Sequence, residues 1–96
     1  MSEKVEIIKS ILDKCIDLWE SGLCVIQLHP TEKEFLEKEY NIEVEESFNK
    51  YFLDIDPTSL LVGWLLDEIS NDPKYELYRK TIEQIKKKWA DKKWTC

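Results

Sequence analysis

Residues 23–28 read LCVIQL, and whether they form a strand or a helical turn decides the fold class. The run is short and apolar, and Val25 and Ile26 favour strands. At this length periodicity does not separate a buried strand from a buried connector or helical turn. A strand needs a partner, and the one candidate is NIEV at 41–44. The chain also has only two glycines and three prolines in 96 residues, too few for a turn-rich β fold. The segment therefore reads as a buried connector or short helix.

On its N-terminal side, residues 2–20 read as a helix. Ser2 caps it, Glu3 and Glu6 sit in the dipole-favoured first turn, and Gly22 stops it. Val5, Ile8, Leu12, Cys15 and Trp19 recur at steps of three and four, and Ile11, Ile16 and Leu18 widen that face enough for two neighbours. On the C-terminal side, His29-Pro30-Thr31 opens a second helix. Thr31 and Glu34 have the spacing of a capping box, and Asn41 is a left-handed stop after Tyr40. VEESFNKYFL at 44–53 reads as a third helix, with Phe48, Tyr51 and Phe52 as its apolar members.

Two aspartates then precede prolines, at Asp56-Pro57 and Asp72-Pro73. Proline is favoured in the first helical turn and aspartate at the cap. The recurrence reads as helix-start grammar. A Mg²⁺ site at Asp54 and Asp56 would want further converging carboxylates or a phosphate ligand, and the chain has no glycine-rich phosphate loop. Leu60, Leu61, Trp64, Leu65, Leu66 and Ile69 make the helix over 57–70 apolar around most of its circumference, hence the expected central helix. Gly63 inside it suggests a close crossing by a neighbour. The last helix, 73–94, carries Tyr75, Tyr78, Ile82, Ile85 and Trp89 as a narrow seam. The expectation is one all-α domain over residues 1–96, a compact bundle of four to five helices. Its long first and last helices are expected to pack antiparallel.

LEKEYNIEVEE at 36–46 has the outline of the stretch that follows the prosthetic-group helix of acyl carrier proteins, but LCVIQLH stands where their serine would be. A helix-turn-helix there would be led by Glu43, Glu45 and Glu46, which repel DNA. It would also lack a small residue at position 37, where its helices cross. Small acidic immunity proteins match in size and charge, with no shared motif. No family is assigned on these grounds.

Three cysteines, Cys15, Cys24 and Cys96, are odd in number and have no metal or redox spacing. Cys15 reads as a small hydrophobe on a helix face. A Cys24–His29 nucleophile–base pair is conceivable, but no cation stands near Cys24 to lower its pKa. No catalytic, metal or cofactor residue is assigned, and no enzyme is expected. No apolar run approaches the roughly 18 residues of a membrane span, and residues 1–20 lack a signal peptide's apolar core, which points to the cytoplasm.

Charge layout is the sharpest functional hint. Residues 21–73 hold twelve acids and three bases, a balance of −9, whereas residues 74–96 hold eight bases and three acids, a balance of +5. The acidic middle suggests docking on a basic protein surface, with Glu37, Glu43, Glu45 and Glu46 as contact residues. An inhibitor or accessory subunit, of anti-defence or immunity type, fits this size and charge, and a homodimer is compatible with it. The alternative uses KKKWADKKW at 86–94, with Lys86, Lys87 and Trp94 meeting nucleic acid or an anionic surface. Against it stand the net charge of −6 and the single Arg79, so strong nucleic-acid binding is not expected.

Overall fold

The structure, a computed structural model, describes residues 3–88. Its elements are helix α1 (Glu3–Ser21), strand β1 (Val25–Leu28), helix α2 (Pro30–Tyr40), strands β2 (Glu45–Ser47) and β3 (Lys50–Asp54), and helices α3 (Thr58–Glu68) and α4 (Tyr75–Lys88). The strands form an antiparallel sheet in the order β1-β3-β2. The described chain is α+β, and the expected all-α bundle is wrong.

The correction turns on residues 44–53. Phe48, Tyr51 and Phe52 do stand at helical spacing, but Tyr51, Leu53 and Ile55 stand at a spacing of two, and that pattern prevails. β3 pairs with β1 so that Ile26 faces Leu53 and Leu28 faces Tyr51. Directly opposed residues share a sheet face, and here that face is the core side. Ile26, Leu28, Leu53 and Ile55 are buried, and Tyr51 packs against them partly buried. A helix over 44–53 would leave the apolar side of LCVIQL without a partner. That partner is 50–54, not NIEV.

Ser47 faces Lys50, so β2 and β3 are joined through Phe48 and Asn49 alone. Both are left-handed, at φ 51° and 63°, the signature of a type I′ hairpin turn. Asparagine tolerates this backbone, whereas a bulky residue is strained there. The Phe48 side chain is 94% exposed, so burial does not offset the strain. Phe48→Gly is therefore expected to raise stability, by about 1 kcal/mol after glycine's own entropic cost. A urea midpoint at or below wild type would show that this turn is unstrained.

Helix ends follow local chemistry, with shifts at the starts of α2, α3 and α4. Gly22 at φ 68° ends α1. Asn41 at φ 54° ends α2, its N–H donating to the Leu36 carbonyl. The α2 capping box is built by His29 and Glu32 rather than Thr31 and Glu34. Thr31 N–H donates to His29 Nδ1 at 3.2 Å, and His29 N–H donates to the Glu32 carboxylate at 2.7 Å. Asp72 accepts from Lys74 N–H at 2.9 Å, but it does so in the turn ahead of α4, which begins at Tyr75 and not at Pro73. Asp56 does not cap α3, which begins at Thr58 without a side-chain cap bond. The buried Thr58 hydroxyl instead accepts from Trp19 Nε1–H at 2.9 Å and donates to the Ile55 carbonyl at 2.5 Å.

The central helix is α1, not α3. Its Ile8, Ile11, Leu12, Cys15, Leu18 and Trp19 are buried, and it packs against α2, α3, α4 and β1. α3 buries Leu61, Val62 and Leu65, with Ile69 buried at its C-terminal cap, but leaves Leu60 65% and Trp64 43% exposed. Among the described residues Gly63 meets no crossing neighbour: a Cβ added there would have none of their atoms within 4 Å. The α4 seam holds, with Tyr78, Ile82 and Ile85 buried and Tyr75 packed beside them; Trp89 lies outside the described residues. α1 contacts α4 as expected. Their links, Lys9 to Asp72 at 2.8 Å and Tyr78 Oη to Asp13 at 2.8 Å, advance along both segments together rather than oppositely, which is not the antiparallel order expected.

Candidate functional site

Folding gathers two of the expected contact residues. Glu37 on α2 pairs with Lys33 at 2.7 Å, and the Lys33 ammonium lies 5.1 Å from the centre of the Tyr51 ring. Glu46 faces Tyr51 across the hairpin, so it shares that side of the sheet. Glu37 foremost, then Tyr51 and Glu46, hold the Lys33 ammonium above its ordinary pKa. Glu45 faces Phe52 on the other side, and Glu43 is exposed ahead of β2. None of Glu43, Glu45 and Glu46 is in an ion pair among the described residues. The edge strand β2 and the residue before Val44 thus carry acids outside any described ion pair, Glu46 within the field of Lys33, beside the exposed Phe48.

Lys86 and Lys87 are exposed in the last turn of α4, and Trp94 lies outside the described residues. Arg79 is committed within α4, reaching Glu76 and Glu83 at 2.8 Å each.

An aromatic cleft went unread in the sequence. The Trp64 and Tyr40 rings stack with centroids 5.7 Å apart and planes 12° from parallel. Phe35 braces Tyr40 edge-on at 5.8 Å. Around the stack lies an open cleft of about 520 Å³, lined also by Lys38, Glu39, Asn41, Asp67 and Glu68. The Tyr40 hydroxyl is buried and has no hydrogen-bond partner among the described residues. Burial, followed by the charges of Glu68, Glu39 and Asp67, pushes this phenol up to about 12. Three acids, Glu39, Asp67 and Glu68, therefore stand around the stack against one lining base, Lys38. Tyr40 and Trp64 are 24 residues apart in the chain, and Trp64 looks like one more apolar residue of a buried helix, so spacing alone held no signal for the pair.

A buried polar cluster was also missed. Glu32 is 3% exposed, although its neighbours in sequence read as a wet acidic face. Its carboxylate accepts from Lys14, from Ser10 Oγ at 2.5 Å and from His29 N–H at 2.7 Å. Burial alone would raise its pKa, but these donors outweigh it and hold the carboxyl below the ordinary glutamate range. A depressed carboxylate is a poor proton acceptor, so the Ser10–Lys14–Glu32 cluster reads as a clamp between α1 and α2. Cys15 nearby is fully buried; burial, with Glu32 adding, pushes its thiol up to about 12. Cys24 is disulfide-bonded, so it is not a thiolate beside His29.

Among the described residues no three His, Cys, Asp or Glu converge as metal ligands, and no helix is long and apolar enough to cross a membrane. No protein-family model matches the chain, and no characterised protein or solved structure is significantly similar to it.

Proposed function

We propose that this is a non-catalytic protein-binding module, an inhibitor or accessory subunit that docks by its acidic surface on a basic patch of another protein. The observation that carries this is the hairpin edge. Glu43, Glu45 and Glu46 are exposed and outside any described ion pair, next to a Phe48 ring that is 94% exposed. Exposed acids gathered at one edge of the sheet steer a complementary partner and raise its association rate. An apolar tip adds surface to bury on arrival. The same acids also protect an open sheet edge from pairing with other strands, a role that costs the docking reading nothing.

The test uses a basic partner captured from the native host, purified and titrated against both chains. The triple variant Glu43→Lys/Glu45→Lys/Glu46→Lys is expected to weaken binding by about tenfold or more, chiefly through the association rate. Unchanged affinity would remove the hairpin from the account. The same measurements should find no DNA, RNA or anionic vesicle bound more tightly than about 10 μM at physiological salt, weaker than typical specific complexes. Saturable, salt-sensitive binding below that value would favour the basic end of α4, through Lys86 and Lys87.

A further inference from the structure

We infer that the cleft over the Tyr40–Trp64 stack receives an arginine side chain of the partner protein. The inference rests on the acidic-surface reading and supplies that reading with a pocket. Three features of α3 and α2 converge on it. First, Leu60, Gly63, Trp64 and Asp67 follow one another at helical spacing along an exposed face of α3. Gly63 weakens a helix interior relative to alanine, and nothing among the described residues requires it, because a Cβ there would have none of their atoms within 4 Å. Its absence of side chain lets another chain's backbone approach the helix at that turn.

Second, the Trp64 ring is 43% exposed and is held flat against Tyr40. A planar guanidinium stacks on such a surface and is attracted by its π-face. Third, the rim is acidic. Lys38 is the one base in the lining, against Glu39, Asp67 and Glu68; Asp67 and Glu39 have no ion pair among the described residues, while Glu68 is reached by Lys4 at 3.3 Å. A second copy of this chain is the poorer occupant. In a two-fold pairing each acidic rim would face its own copy, and like charges repel.

The test is a nuclear magnetic resonance titration of the full chain with hexa-arginine and with the uncharged hexa-citrulline peptide. The Trp64 indole N–H resonance is expected to shift saturably with hexa-arginine and not with hexa-citrulline. Trp64→Leu, read at the backbone amides of Tyr40 and Asp67, should abolish the saturable shifts seen there in the wild type, and Asp67→Asn should weaken the response at the Trp64 indole. Gly63→Ala should raise the melting temperature of the free chain yet weaken peptide binding, a pair of effects that a purely structural glycine would not give. An unmoved Trp64 resonance, or an equal shift with hexa-citrulline, overturns the inference. Shifts confined to Glu43, Glu45 and Glu46 would also overturn it while leaving the acidic-surface reading intact. A Trp64 response that persists in the triple lysine variant, with partner affinity also unchanged, would retain the cleft and discard the hairpin.

Discussion

Glu32→Ala is expected to unfold roughly 15 °C below wild type, a loss of about 3 kcal/mol. The carboxylate is 3% exposed and joins Ser10 and Lys14 of α1 to the start of α2. Removing it strands those donors and undoes the α2 capping box at once. The figure lies at the low end for a broken buried pair because the Lys14 side chain is 34% exposed and can be rehydrated. The same group sets a pH dependence. Its folded pKa is below its ordinary value of 4.5, so its contribution is full above about 4.5 and is lost as pH falls through the folded value. Asp72, held low by Lys9 foremost, and Glu76, held low by Arg79, act in the same direction. The measurement is therefore the difference in stability between wild type and Glu32→Ala from pH 7 to pH 2. That difference should be constant at the top of the range and shrink below about 4.5. A difference that stays constant throughout would mean the carboxylate is not held by these donors.

Thr58→Val is expected to cost about 2 kcal/mol, or roughly 10 °C. Valine keeps the shape of a side chain that is fully buried but removes the acceptor of the Trp19 indole N–H. That bond joins the end of α1 to the start of α3 across 39 residues of chain. Its reality is tested by a double-mutant cycle with Trp19→Phe, which should show coupling of about 1 kcal/mol. Strict additivity of the two substitutions would show that the hydroxyl and the indole act separately.

The acidic stretch was visible in the sequence because charge needs no partner to be read. Glu43, Glu45 and Glu46 stand within four residues, and the structure leaves all three exposed. Glu32 belonged to the same acidic run and went the opposite way. Its burial depends on Lys14 and Ser10, which stand 18 and 22 residues earlier, and no local pattern announces that meeting. Trp64 failed for the mirror reason. An apolar residue on an apolar helix is expected inside, yet α1 took the central place and left one face of α3 open.

The sequence by itself determined what depends on a few neighbouring residues. Gly22 and Asn41 ended their helices because left-handed backbone suits glycine and asparagine. Pro30 opened α2, Asp72 capped the approach to α4, and the three-four spacing of α1 and α4 named the faces that are buried. Only the tertiary structure decided the fate of LCVIQL and VEESFNKYFL. Each is compatible with helix or strand when read alone, because a strand is stabilised by hydrogen bonds and side-chain pairs supplied from elsewhere in the chain. Ile26 and Leu28 become strand residues only when Leu53 and Tyr51 arrive opposite them, and that pairing turned an expected helical bundle into an α+β fold.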